Sequence, residues 1–217
     1  ELCRYHNDYM AESARSYPDR IAWLAICSPA EDDATRLLED AFAAGASGVG
    51  ELNADAQGFD LDEPETLELL AEICIMNDKA AMFHTSEPIG HDYPGKGAST
   101  PAKMVRLLAA YPDLRVVAAH WGGGLPFYEL MPEVGRATVN LAYDTAASTY
   151  LYDHRVFETV IGLVGDDRVL WASDYPVLKQ GPLLKKTMNR PWATPSALAK
   201  VLGENAIRIY GLGEAVE

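Results

Sequence analysis

Short apolar or β-branched runs alternate along this chain with longer stretches in which apolar residues recur every three or four positions, a rhythm that marks repeated βα units. Six strands are expected, at Ile21–Ile26, Gly48–Leu52, Ala80–His84, Val116–His120, Val139–Tyr143 and Val169–Ser173. The helical period predicts Asp33–Ala44, Glu65–Asn77, Pro101–Tyr111, Pro126–Thr138 and Arg155–Val164 between them, with Asn7–Tyr17 ahead of the first strand. Strands ~25 to 35 residues apart with a helix in each gap need right-handed crossovers, which build a parallel sheet with helices outside. The expected class is α/β. No linker rich in Pro, Gly or Ser divides the chain, so residues 1–217 read as one domain.

Two architectures fit that rhythm, and the placement of polar residues separates them. An open doubly wound sheet concentrates its site where the strand order reverses, often with a glycine-rich phosphate loop. Neither GxGxxG nor GxxxxGK[ST] follows a strand here, and Gly122–Gly124 lacks the Lys and Ser/Thr of a phosphate loop, so it reads as a tight turn. A barrel instead gathers the C-terminal ends of all its strands around one pocket. Nearly every strand ends in a residue able to bind a metal or move a proton: Glu51, His84, His120, Asp144 and Asp174. One buried imidazole or carboxylate can be a structural accident, but five at equivalent positions point to a shared polar pocket such as a (β/α)8 TIM barrel builds. Imidazole nitrogen and carboxylate oxygen are the usual ligands of a catalytic zinc or a similar divalent ion, manganese and iron included. Such an ion activates a water molecule that a nearby carboxylate can deprotonate.

Composition narrows the function classes. With 48% hydrophobic and 23% charged residues the chain is neither disordered nor membrane-embedded, and no apolar run approaches the ~18 residues of a membrane span. A formal charge of −14, with no basic cluster, repels a phosphate backbone and disfavours nucleic acid as a partner. Cys3, Cys27 and Cys74 lack paired CxxC spacing and read as reduced thiols of a cytoplasmic-type protein. The first residue is Glu1 rather than Met, which leaves targeting unread.

The run from His84 through Val116-Val-Ala-Ala-His120-Trp-Gly-Gly and Asn140-Leu-Ala-Tyr-Asp144-Thr to Arg168-Val-Leu-Trp-Ala-Ser-Asp174-Tyr-Pro resembles the amidohydrolase superfamily. It is similar to the branch containing aminocarboxymuconate semialdehyde decarboxylase and related TIM-barrel hydrolases, and Gly203–Leu212 is similar to that branch's final helix. The resemblance covers nearly the whole chain and is most specific at Val169–Pro176. It implies that His84 is a metal ligand, that His120 binds a second metal or hydrogen-bonds the reacting water, and that Asp174 is both ligand and general base. It also numbers the six strands three through eight of the barrel. The family's first strand carries a His-x-His pair and nothing of that form precedes Ile21, so the resemblance implies a chain without strands one and two. Relatives with two metals imply that Glu51 could bridge them, or orient a ligand from outside.

The loop Thr85-Ser-Glu-Pro-Ile-Gly-His91-Asp-Tyr-Pro-Gly-Lys96-Gly holds more functional groups than a connection needs, and long βα loops at this face shape substrate pockets. Glu87, His91, Tyr93 and Lys96 are therefore expected to face a small-molecule substrate, with Trp121 beside them. Hydrolysis of an amide, ester or lactone by metal-activated water is the first expectation. Non-oxidative decarboxylation on the same site is the alternative, favoured if the loop cations clamp a carboxylate. Two rivals stand beside these: a non-catalytic fragment that self-associates through exposed sheet edges as a homo-oligomer, and a TatD-like phosphodiesterase suggested by Gly-Val-Gly-Glu51.

Overall fold

Six parallel strands form one sheet in strict chain order in a computed structural model that describes residues 1–213. They are β1 Leu24–Ala25, β2 Gly48–Leu52, β3 Ala80–Phe83, β4 Val116–Ala118, β5 Leu141–Asp144 and β6 Val169–Leu170. Leu24 sits beside Gly48, Gly48 beside Ala80, Ala81 beside Val116, Val116 beside Leu141, and Tyr143 beside Val169. This order, never reversing and with helical crossovers, is that of consecutive units of a barrel; a doubly wound sheet would switch direction. Among the described residues β1 and β6 pair only on one side and remain edges. No helix among the described residues is long and apolar enough to cross a membrane.

Period-two alternation sorts the strand residues between two cores. Ala81, Phe83, Val116, Ala118, Leu141, Tyr143 and Val169 point to the large core under the surrounding helices. Their neighbours Ala80, Val117, Ala142 and Leu170 point to the other face and pack with Ile209, Ala206 and Tyr210 of the helix Asn205–Tyr210. Cys27 and Cys74 are free thiols buried in the large core, and burial pushes both up to about 12.

Several elements are shorter than the sequence pattern predicts, each for a local reason. Beyond β1, the buried Asn7 side chain takes the place of a neighbouring strand: its Nδ2 donates to Ile26 O at 3.0 Å and its Oδ1 accepts from Ile26 N at 2.9 Å. β4 stops before His120 because His120 and Trp121 adopt left-handed backbone, φ 57 and 58. β5 begins at Leu141 rather than Val139, because Leu141 N turns back to Thr138 O at 3.0 Å. β6 ends at Leu170, after which Trp171 N bonds Val201 O at 2.8 Å. The helix expected over Pro126–Thr138 is two pieces, a tight turn at Leu125–Tyr128 and a helix at Pro132–Ala137, because Pro132 has no N–H to continue a helix through it. The helices Gln180–Met188 and Pro195–Ala199 follow β6 without having been anticipated.

One half-buried ionic network ties β5 to β6. Arg168 forms a two-pronged pair with Glu129, Nη1 to Oε2 at 2.7 Å and Nη2 to Oε1 at 2.8 Å, and also donates to the carbonyls of Leu141 and Thr138. The Tyr143 hydroxyl donates to the same Glu129 carboxylate. Removing one partner from such a pair leaves an uncompensated, largely desolvated charge, so Glu129→Leu is expected to destabilise the fold by about 2–3 kcal/mol in urea denaturation. The double change Glu129→Leu with Arg168→Met is expected to recover most of that loss, which distinguishes the stranded charge from lost packing.

Candidate metal centre

Glu51, His84 and His120 come from the ends of β2, β3 and β4, and each offers one ligand atom within 4.8 Å of the others. Glu51 reaches this point because β2 shifts register against β3 between Val49 and Leu52. Gly50 makes the shift possible: its φ is 134, and a Cβ there would lie 2.6 Å from Met82 O. His84 follows the last residue of β3, and His120 sits in the left-handed turn after β4. That turn is held by Asp144, whose Oδ1 accepts from His120 N at 2.9 Å and Ala146 N at 3.0 Å. Three consecutive left-handed glycines continue it, and a Cβ on Gly123 would stand 2.5 Å from Ser86 O, so the loops after β3 and β4 touch backbone to backbone.

The two imidazoles are oriented alike. A backbone carbonyl occupies one nitrogen of each ring, Gly95 O at 3.0 Å from His84 Nε2 and Ala146 O at 3.4 Å from His120 Nδ1. A carbonyl can only accept, so that nitrogen carries the hydrogen, and the other nitrogen of a neutral ring turns its lone pair inward. Both inward nitrogens meet the same oxygen, Glu51 Oε1, at 2.8 Å from His84 Nδ1 and 3.3 Å from His120 Nε2. Lone pairs facing a carboxylate oxygen need a positive charge between them, either protons on the rings or a cation. At His120 a proton can fill that role. Burial opposes the charge on His120, but its bond to Glu51 and the charges of Asp144, Glu51 and Asp174 raise it to about 9. Burial likewise works to raise Glu51, yet the bonds and charges of His120 and His84 hold it at about 2. Asp144 is pushed up to about 6 by burial, against the His120 charge and its two N–H donors, and its Oδ2 has no hydrogen-bond partner among the described residues. Two imidazoles and a carboxylate in this arrangement are a donor set that fits a divalent cation.

Asp174, the remaining ligand expected from the sequence, has left-handed backbone at φ 62 and lines the same cavity of about 200 Å³ as the three donors, but is not one of their tight group. The cavity thus unites His84, His120, Asp174 and Glu51, and Glu51 Oε1 is the atom on which both rings converge. Tyr93, Pro94 and Gly95 wall it from the loop after β3, and Ala147, Tyr150 and Leu151 from the segment after β5. That second wall was missed, although Ala146-Ala-Ser-Thr-Tyr-Leu-Tyr152 follows Asp144 and so belongs to the same pocket-forming end of the sheet.

The residues expected to contact substrate divide into three groups. Tyr93 lines the metal cavity, whereas Glu87 and His91 line a neighbouring one. Lys96 does not face either: its Nζ donates to the carbonyls of Ile89, Gly90 and His91 and lies 5.9 Å from the Tyr93 ring centroid, so the cation is consumed in holding its own loop. Trp121 is core, fully buried, with its indole N–H on Ser148 Oγ at 2.8 Å and its ring edge-on to Phe157 at 5.0 Å. Its left-handed backbone turns the ring under the helices, away from the pocket that its neighbour His120 faces.

Comparison with known proteins adds a family and a fold. The profile of the family described as Amidohydrolase matches residues 1–212. The 2-amino-3-carboxymuconate-6-semialdehyde decarboxylase of Dictyostelium discoideum is 23% identical over 248 residues, covering 98% of this chain and 67% of the relative. The crystal structure of 5-carboxyvanillate decarboxylase from Sphingomonas paucimobilis superposes with a TM-score of 0.79 at 23% identity, over 98% of this chain and 73% of the other. A dihydroxybenzoic acid decarboxylase from Polaromonas sp., solved with bound manganese and the inhibitor 2-nitroresorcinol, gives a TM-score of 0.80 at 19% identity, over 97% and 75%. At such identities the structural matches speak for the fold, and the fold is that of a TIM barrel to which this chain supplies six βα units.

Proposed function

The chain belongs to the amidohydrolase family, and from that membership we propose that it is a metal-dependent decarboxylase of a small acid whose carboxylate sits on an unsaturated carbon. The observation that carries this reading is the convergence of Glu51, His84 and His120 on one cation-sized space, with Asp174 on the wall of the same cavity. The decarboxylases among the similar proteins support carbon–carbon cleavage ahead of the hydrolysis that the sequence suggests first. They also bring manganese level with zinc, since the Polaromonas protein was solved with it.

A divalent cation held by Glu51, His84 and His120 would draw the substrate carboxylate to the cavity and offset its negative charge. The chain's own groups do the rest. The carbonyls of Gly95 and Ala146 fix the two rings so that their inward nitrogens stay on target. Asp174, on the cavity wall, relays a proton from water to the carbon that bears the carboxylate. The bond from that carbon to the carboxylate then breaks, its electron pair returns to the unsaturated system, and carbon dioxide leaves. Tyr93, Tyr150 and Leu151 shield the site and favour a flat, apolar substrate body.

The test is carbon dioxide release from 5-carboxyvanillate and 2,6-dihydroxybenzoate by the chelator-stripped chain reloaded with manganese, zinc or iron. Turnover is expected with at least one metal and none without. Release of no carbon dioxide, together with metal-dependent cleavage of simple amides or lactones, would return the assignment to hydrolysis.

A further inference from the structure

A second cavity, of about 180 Å³, lies against the metal cavity with Tyr93 and Leu151 as their shared wall. Two buried polar atoms of its lining have no hydrogen-bond partner among the described residues, Glu87 Oε1 and the Tyr152 hydroxyl. The other Glu87 oxygen accepts from the Tyr93 hydroxyl at 3.0 Å, which fixes the carboxylate in place. Burial, a loose hydrogen-bonding contact with Glu87 and that carboxylate's charge raise the Tyr152 phenol, so it keeps its proton and can donate. The Tyr152 hydroxyl and the Glu87 carboxylate are close enough to act on one another, yet neither atom makes a bond of good hydrogen-bond geometry, so a third group that bonds both improves on their strained pairing.

We propose that this second cavity is a specificity pocket that takes a hydroxyl group at the end of the substrate remote from the reacting carboxylate, bound between Glu87 Oε1 and the Tyr152 hydroxyl. A hydroxyl is the group that matches both, donating to the carboxylate and accepting from the phenol. An ammonium has no lone pair for Tyr152, a carboxylate is repelled by Glu87, and an alkyl end leaves both atoms unpaired. His91, Tyr93 and Tyr150 pack ring against ring at 5.5, 5.6 and 5.8 Å where the two cavities adjoin, giving an aromatic surface for the body that links the two ends of the ligand. Glu87 and Tyr152 thereby become specificity-determining residues, set by loops after β3 and β5. The substrate class deepens the decarboxylase reading and rests on it, whereas the hydroxyl preference of the pocket does not.

Isothermal titration of the manganese-loaded full chain separates the two. One ligand pair carries a carboxylate, 4-hydroxycinnamate against cinnamate; the other carries none, 4-methylphenol against its methyl ether. The hydroxylated member of each pair is expected to bind roughly tenfold more tightly, because a site built around a hydroxyl rejects the analogue that lacks it. Glu87→Gln and the isosteric Tyr152→Phe should each reduce that advantage to about twofold or less, since either leaves the hydroxyl with one poor partner. Equal affinities within both pairs, or an advantage that survives both substitutions, would overturn the pocket while leaving the decarboxylase reading intact. A hydroxyl preference confined to the phenol pair, with neither cinnamate bound, would support the pocket and count against the decarboxylase.

Discussion

Alanine in place of His84 is expected to strip the chain of tightly held metal. His84 contributes one of three donors, and its ring is fixed from behind by Gly95 O and Ser86 Oγ, so alanine removes both a lone pair and the preorganisation around it. Changes outside the ligand set already cost metal sites ~10–100-fold in affinity, so loss of a ligand is expected to weaken manganese binding by at least ~100-fold. Elemental analysis after gel filtration reads this directly. Ser86→Ala provides the graded comparison, with a loss of ~10-fold expected because it touches only the far side of the ring. Wild-type metal content in His84→Ala would remove the metal centre from the account.

The second large effect is expected at Asp174. Asparagine keeps the size and hydrogen-bonding shape of the side chain but cannot deliver a proton, so kcat should fall by ~10²–10⁴ while metal content stays near wild type. Single-turnover kinetics with a proton-inventory arm check that the lost step is proton delivery. An unchanged kcat would transfer that duty to another group on the cavity, with His120, which shares Glu51 with His84, the first to be tested.

How far the sequence reveals this molecule follows the physics of each element. Strands β2 and β3 stand almost where the alternation places them, and the helices Pro101–Ala110 and Val156–Val164 match their apolar stripes, because burial of a periodic face decides both. Strand ends are less legible. His120 lies on left-handed backbone that no hydrophobic pattern encodes, so the run written through it stops short, and the last strand ends at Leu170 because Trp171 N turns to Val201 O. The candidate ligands are legible as residue types at strand ends, since the topology brings all those ends to one side. Their ranking is not: the central place of Glu51 depends on a register shift beside Gly50, and the fate of Lys96 on which carbonyls its own loop offers. Trp121 was expected beside the substrate by its position in the chain, yet one reversed backbone angle sends it to the core.

Four of the five non-glycine residues with left-handed backbone among the described residues, His120, Trp121, Ala147 and Asp174, belong to the loops that end on the cavity. Each such residue costs roughly 1–2 kcal/mol relative to ordinary backbone. Selection of a library for heat resistance alone should therefore enrich glycine or asparagine at His120, Ala147 and Asp174, while burial of its ring retains Trp121, and the sturdiest survivors should be the poorest catalysts. Directed evolution of this barrel would need to reward turnover and endurance together.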